Sequence, residues 1–295
     1  MRTSSESSAA LAADVSSAGE HASSPYAQSG LHTRIQRGRG WAVHAFTTLG
    51  IVAAMLALRD IIAGRPDHAV IWMLLTLLID GVDGPIARAI HVGELVPRID
   101  GFLLDLVIDF TTCAIVPAAF MYQFGVVPRD NWGVTVLSGV VLTSAIWFAR
   151  KDMMTEENWF RGFPAAWNLV APTVMFAHVP TGARLTVIIA LALFQLTNVP
   201  FPHIARARFM RPYTLLAATC WIGAIAAATL LYPNSNLLVS VLLYTGSTYF
   251  IILAVLRGLS TVMNFSPTAA RRSPRWWPRD FPTRGHEFSP PWSGR

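Results

Sequence analysis

The chain has 295 residues, of which 53% are hydrophobic and only 14% are charged, and its net charge is +6. Soluble domains carry roughly 25% charged residues, so this composition excludes an ordinary soluble protein. The two cysteines, Cys113 and Cys220, both fall in apolar stretches, which argues against a disulfide framework and against a thiolate metal site.

The predicted elements begin with a Ser-rich tail over residues 1–33, which lacks hydrophobic periodicity and is expected to be disordered. A membrane domain over residues 34–262 follows, and a Pro-, Arg- and Trp-rich cytoplasmic tail over 263–295 ends the chain. Apolar runs that reach or approach the ~20 residues of a membrane helix lie at roughly 41–58, 69–90, 101–124, 133–149, 163–179, 184–199, 213–232 and 237–256. We therefore predict an all-α integral membrane protein with about eight transmembrane helices.

The distribution of basic residues predicts the orientation of these spans. If the N-terminus is cytoplasmic, 19 of the 23 Lys and Arg residues fall in cytoplasmic segments, as the positive-inside rule requires. An even number of spans then places both termini in the cytoplasm. Because the Arg residues flank apolar runs, the basic charge predicts contact with membrane lipid and no binding of nucleic acid.

Four carboxylates lie inside the second and third predicted spans, at Asp80, Asp83, Asp105 and Asp109. A charge in the bilayer costs at least ~2.5 kcal/mol on insertion scales, so four together need a reason. Residues three or four apart share one face of a helix, and both pairs fall in the cytoplasmic halves of their spans. Oxygen ligands suit hard divalent ions, so the sequence predicts a Mn²⁺ or Mg²⁺ site.

Other interpretations of the four carboxylates are open at this point. Arg88 and Arg98 would neutralise two of them as buried ion pairs, although such pairs rarely add stability over apolar side chains. A proton or cation pathway is a second possibility. A substrate site is favoured by small residues that let a ligand approach the backbone, namely Gly84, Ala87 and Gly101. Arg88 is placed to bind a phosphate.

The spacing Asp-x-x-Asp-Gly-x-x-Ala-Arg, followed by Gly-x-x-x-Asp-x-x-x-Asp, resembles the signature of the CDP-alcohol phosphotransferase family. The connector between its halves, residues 89–100, is longer than the family's usual one and resembles that of the bacterial phosphatidylcholine synthases. The runs Trp41–Thr47 and Gly162–Asn168 are also similar to that subfamily. The resemblance covers about residues 40–260.

The resemblance implies an enzyme that transfers the phosphatidyl group of CDP-diacylglycerol to choline and releases CMP. It implies that the metal ligands are Asp80, Asp83, Asp105 and Asp109, with Asp109 also the catalytic base. The implied CDP-diacylglycerol site is Gly84, Ala87, Arg88, Gly101 and Thr47. A homodimer in the bacterial inner membrane, with its active site facing the cytoplasm, is implied as well. Glycerol phosphate, serine or inositol phosphate as acceptor is the alternative within the family, and a cation transporter is the alternative outside it.

Choline is a quaternary cation, which proteins bind with aromatic faces or carboxylates. The candidates are an aromatic cluster at the entrance of the fifth predicted span and one residue of the first, namely Trp159, Phe163, Trp167, Asn168 and His44. An interfacial aromatic belt explains the same rings, and the nearby Arg150 and Arg161 would repel a cation. Both interpretations of this cluster stay open from the sequence.

Overall fold

The computed structural model describes residues 25–155, 159–203, 211–234 and 236–263, most of which are helical. Residues 1–24 and 264–295 of the predicted tails lie outside these residues, whereas 25–33, which were predicted to be disordered, already belong to the first helix. The elements in chain order are α1 Pro25–Ile62, α2 Pro66–Ala89, α3 Val92–Leu95, α4 Gly101–Phe110, a π-helical turn Thr111–Ile115, α5 Val116–Gln123, α6 Asn131–Phe148, β1 Trp159–Arg161, α7 Trp167–Phe176, α8 Thr181–Phe194, β2 Pro200–Pro202, α9 Arg211–Leu231 and α10 Leu237–Met263.

Six helices in the described part of the chain are long and apolar enough to cross a membrane. They are Arg34–Ile62, Pro66–Ala89, Gly101–Gln123, Asn131–Phe148, Arg211–Leu231 and Leu237–Leu259. The fifth and sixth predicted spans coincide with the shorter helices α7 and α8, of 10 and 14 residues. At 1.5 Å per residue these are roughly 15 and 21 Å long, less than the ~30 Å hydrocarbon core. The all-α membrane class is confirmed, whereas eight spans and cytoplasmic termini stay predictions.

Local sequence explains where the helices of the second and third spans begin and end. Pro66 occupies the first turn of α2, where its missing N–H costs nothing. Beyond the end of α2, His91 adopts a left-handed backbone conformation with φ of 55°, which turns the chain. Asp100 caps α4, and its carboxylate accepts hydrogen bonds from the backbone N–H groups of Phe102 (3.0 Å) and Leu103 (3.1 Å). This cap fixes the start of the helix that carries two of the four carboxylates.

The short helix α7 is surrounded by protein, with nine of its ten residues buried. A polar network joins it to its neighbours: the Trp167 indole donates to the Ser144 hydroxyl (3.0 Å), and the Thr143 hydroxyl donates to the Gln195 side chain (2.7 Å). Polar groups inside a membrane protein need such internal partners. The network therefore holds α6, α7 and the end of α8 together.

The loops after α6 and α8 meet at one end of the bundle, where β1 and β2 pair in antiparallel fashion. The Arg150 guanidinium joins these loops, donating to the Thr197 carbonyl (3.0 Å) and to the Asn198 side chain (2.6 Å). It also pairs with Asp152 at 3.1 Å. Hydrogen bonding from Arg150 holds the pKa of the Asp152 carboxyl below its usual value. One cation thus bridges two segments that are distant in sequence.

Candidate active site

A cavity of about 630 Å³ lies where α1, α2, the connector 89–100 and α4 meet. Each of these elements contributes to its lining, so residues far apart in sequence face one space. The predicted site residues that line it are His44, Thr47, Asp83, Gly84, Ala87, Arg88, Gly101 and Asp105. Most of the lining surface is apolar, with the charged groups carried by α2, α4 and the connector.

The carboxylates of the two helices approach one another beside this cavity. Oxygens of Asp80, Asp105 and Asp109 lie within 4.8 Å of one another. Opposite ligands of an octahedral site with 2.1 Å bonds are about 4.2 Å apart, so oxygens at these separations need only small shifts to hold one hard divalent cation. Asp83 lies outside this group of three; it is buried and accepts a hydrogen bond from the Thr47 side chain. The acidic group that can hold a metal ion thus contains three of the four predicted ligands.

The helix that carries Asp105 and Asp109 changes its geometry directly after them. Residues Thr111–Ile115 form a π-helical turn, and the Thr112 hydroxyl donates to the Asp109 carbonyl at 3.4 Å. A π-turn places one extra residue in the helix and re-aims the side chains that follow, and such turns are frequent at functional sites. Asp109 therefore lies at the end of the regular part of α4, one turn after Asp105.

Two glycines of the signature allow site side chains to lie against the helix backbone. A Cβ on Gly84 would be 3.2 Å from Nη1 of Arg88, and a Cβ on Gly101 would be 3.2 Å from Cε1 of His44. Both distances are tighter than ordinary van der Waals contact. Glycine therefore lets the Arg88 guanidinium fold along α2 and lets the His44 imidazole rest on the first turn of α4. The planar guanidinium at this position suits bidentate binding of a phosphate.

His44 is only 5% exposed, and its Nε2 atom has no hydrogen-bond partner within the described part of the chain. Its ring meets Trp41 edge-on, with ring centroids 6.5 Å apart. A buried polar atom left unpaired costs roughly 1–3 kcal/mol. Because His44 lines the cavity, its Nε2 is available to a bound ligand.

The other four predicted choline residues do not occur in the described lining of this cavity; they are Trp159, Phe163, Trp167 and Asn168. Protein groups cover the rings: the Arg257 guanidinium lies 5.4 Å from the Trp159 ring centroid, and Phe163 packs edge-on against Trp167 at 5.2 Å. Both side-chain polar atoms of Asn168 are buried and have no partner among the described residues. Choline binding by these four residues stays a prediction.

Among the lining residues that the sequence did not predict are His91, Glu94 and Phe102. Two of them belong to the connector 89–100, which was interpreted only as a link between the two halves of the signature. A connector of this length can fold back over the site, and that length was the available signal. Phe102 follows Gly101 directly, and nothing in its position distinguished it from other apolar residues of a span.

Comparison with known proteins gives one consistent result, although no protein-family profile matches the chain. The phosphatidylcholine synthase of Pseudomonas aeruginosa is 33% identical over 74% of this chain and 92% of its own length. That of Rhizobium johnstonii is 32% identical over 74% of this chain and 90% of its own length. That of Borreliella burgdorferi is 32% identical over 63% of this chain and 80% of its own length. The similarity thus extends over most of each relative.

Proposed function

The chain belongs to the phosphatidylcholine synthase family, and we infer that its cavity between α1, α2 and α4 is where the phosphatidyl group is transferred. The protein is a membrane enzyme that makes phosphatidylcholine from CDP-diacylglycerol and choline. The observation that carries this conclusion is the 33% identity to a phosphatidylcholine synthase over 74% of the chain. We further propose a homodimer in the bacterial inner membrane, with the active site facing the cytoplasm.

The acidic group beside the cavity is proposed to hold Mn²⁺ or Mg²⁺ through Asp80, Asp105 and Asp109, with Asp83 as a fourth carboxylate nearby. When bound, such an ion neutralises the donor's diphosphate and stabilises the charge that develops on CMP. Oxygen-only ligands favour these hard cations over softer ones. The mutual repulsion of the carboxylates is a second reason to expect a cation there.

The donor's diphosphate is proposed to lie along α2 and the first turn of α4. Arg88 would donate two N–H bonds to phosphate oxygens, a geometry that its planar guanidinium favours. Gly84, Ala87 and Gly101 leave the backbone open to the nucleotide. The Thr47 side chain donates a hydrogen bond to Asp83, and both residues line the cavity. The proposed donor site is therefore Thr47, Gly84, Ala87, Arg88 and Gly101.

Asp109 is proposed as the general base that removes the proton of the choline hydroxyl. The choline oxygen forms a bond to the β-phosphorus of CDP-diacylglycerol. The bond between that phosphorus and the oxygen that bridges to CMP breaks, and CMP leaves with the electron pair. For this role Asp109 needs to lie close to the acceptor oxygen. His44, on the cavity lining, is placed to contact either the acceptor or the nucleotide.

The acyl chains of the donor are proposed to occupy an apolar groove of about 480 Å³ on the other side of α4. Its lining includes Phe102, Leu106 and Phe110 of α4, Phe148 at the end of α6, and the basic pair 150–151 of the loop that follows. Phe102 also lines the cavity, so the two spaces share one residue. A lipid can then keep its tails in the apolar groove while its diphosphate lies in the cavity.

Purified protein with CDP-diacylglycerol, Mn²⁺ and labelled choline should release CMP and form labelled phosphatidylcholine. Removal of the metal with EDTA should abolish both products, and Mn²⁺ or Mg²⁺ should restore them. Serine, glycerol phosphate and inositol phosphate in place of choline should give no lipid product. CMP release with one of these acceptors but not with choline would contradict the choline assignment, and no CMP release with any acceptor would favour a cation transporter.

A further inference from the structure

The connector 89–100 folds back over the cavity and is held against α1. The left-handed residue His91 turns the chain, and Val92 and Val96 are each only 5% exposed. A Cβ on Gly40 would lie 2.6 Å from Cγ2 of Val96, so only glycine permits this approach of the connector to α1. The connector is thus a fixed part of the cavity lining.

The acidic residues that line the cavity differ in their partners. Asp83 and Asp105 belong to the carboxylates of the proposed metal and nucleotide site. Asp100 accepts two backbone hydrogen bonds as the cap of α4. Glu94, in the one-turn helix α3, makes no side-chain hydrogen bond or ion pair with any residue that the structure describes. Its carboxylate is therefore the acidic group of the lining that no structural role explains.

We propose that the Glu94 carboxylate recognises the trimethylammonium group of choline. A quaternary ammonium has no N–H to donate, so opposite charge and aromatic faces are the means of binding it. Phe102 is the only Phe, Tyr or Trp in the described lining, and it supplies such a face beside the cavity. This assignment rests on the proposed function. It means that the connector 89–100 selects a cationic acceptor.

This position differs from the aromatic cluster that the sequence favoured. The ring of Trp159 already has the Arg257 guanidinium over it, and a second cation there would be repelled. Trp167 has no exposed surface and donates its indole N–H to Ser144. Choline must reach the β-phosphorus at the cavity, and Glu94 lies on that lining while the two tryptophans do not.

The test is Glu94→Gln, which removes the charge and keeps the shape of the side chain. Glu94 is exposed, so the variant should fold as the wild type does. We expect the KM for choline to rise about fivefold, the effect of losing one exposed charge pair. The kcat at saturating choline and the KM for CDP-diacylglycerol should not change. Glu94→Asp keeps the charge on a shorter side chain, so its choline KM should lie between those of the wild type and Glu94→Gln.

A neutral isostere separates charge recognition from packing. The alcohol 3,3-dimethyl-1-butanol has the shape of choline without its charge, so wild-type preference for choline over this alcohol should fall about fivefold in Glu94→Gln. An equal effect on both alcohols, or a change in the lipid KM, would overturn the assignment. Asp67→Asn, at the far end of α2, is the matched control and should leave both constants unchanged.

Phe163→Leu tests the other location, because it removes an aromatic face and keeps an apolar side chain of similar size. A larger rise in the choline KM in this variant than in Glu94→Gln would show that the aromatic cluster binds the ammonium group. Failure of the proposed function is separate from failure of this assignment. If the wild type releases no CMP with choline, the proposed function is wrong; if it does and Glu94→Gln keeps the wild-type choline KM, only the role of Glu94 is wrong.

Discussion

Among the four carboxylates of the site, Asp83 lies apart from a group formed by the other three. Asp83 is buried and held by the Thr47 side chain. Asp80, Asp105 and Asp109 instead have oxygens within 4.8 Å of one another. Like charges at such distances repel strongly unless a proton or a cation lies between them. Under the proposed function a bound Mn²⁺ or Mg²⁺ relieves this repulsion, and Asp83 lies outside the group of three.

Replacement of Asp109 by Asn keeps the size of the side chain and removes its basicity. Because Asp109 is the proposed base, CMP release should fall at least about 100-fold, the usual contribution of general-base catalysis. Yield and thermal stability of the purified variant should stay at the wild-type level. Asp130→Asn is the control, since Asp130 caps α6 through the Gly133 N–H (2.9 Å) and Asn caps a helix equally well. Retention of more than about a tenth of the activity in Asp109→Asn would exclude the base role.

The helix α4 presents two surfaces of opposite character. Gly101 and Asp105 line the cavity, whereas Leu106 and Phe110 line the apolar groove. Neighbouring positions of a helix point about 100° apart, so adjacent residues such as Asp105 and Leu106 serve different surfaces. Phe102 contributes to both. In the proposed donor complex, this helix separates the diphosphate of the lipid from its acyl chains.

Leu106→Trp tests this separation by filling the apolar groove. The larger ring should displace part of an acyl chain, and loss of two buried methylene groups, roughly 1.6 kcal/mol, corresponds to about a 15-fold rise in the KM for CDP-diacylglycerol. The KM for choline should stay constant, because the cavity is unchanged. Leu142→Trp makes the same substitution at an exposed position of α6, outside the described lining of the groove, and should behave as wild type. An unchanged lipid KM in Leu106→Trp would place the acyl chains elsewhere.

The features of this fold that are encoded locally could be predicted from the sequence. Apolar composition predicted an all-α membrane protein, and the spacing of the aspartates predicted which helices carry the acidic group. Contacts between distant segments could not be predicted, because they depend on packing: nothing local shows that Val96 lies on Gly40. Apolar composition also does not distinguish a helix buried in protein from one exposed to lipid. For that reason α7, which is only 10 residues long, was expected to be a full span.

In the whole molecule, the two short helices α7 and α8 together decide the number of transmembrane spans. If α7 and α8 both cross the membrane there are eight spans, and if neither crosses there are six. Either number is even, so the predicted location of both termini in the cytoplasm does not depend on the answer. The lengths of 10 and 14 residues would require a locally thin bilayer for full crossing, whereas burial of α7 by protein permits a path that ends within the membrane.

Reporter fusions test the predicted orientation. Alkaline phosphatase needs disulfides and is active only outside the cytoplasm, whereas green fluorescent protein fluoresces when it stays inside. A fusion after Arg295 should fluoresce and lack phosphatase activity. A fusion after Arg129, in the loop between α5 and α6, follows three spans and should show the reverse. Phosphatase activity at both positions would mean an odd number of spans. Phosphatase activity at Arg295 with fluorescence at Arg129 would mean an inverted orientation, with CMP released outside the cytoplasm.

The place of Phe102 between cavity and groove has a thermodynamic consequence for the proposed reaction. Of the two products, CMP dissolves in the aqueous phase, while phosphatidylcholine never leaves the lipid phase. The driving force therefore depends on the ratio of CMP to choline in the water and on the ratio of phosphatidylcholine to CDP-diacylglycerol in the membrane. Enlarging the water volume around the same membranes at a fixed choline concentration should pull synthesis forward by diluting CMP, while the surface density of the lipid product stays constant.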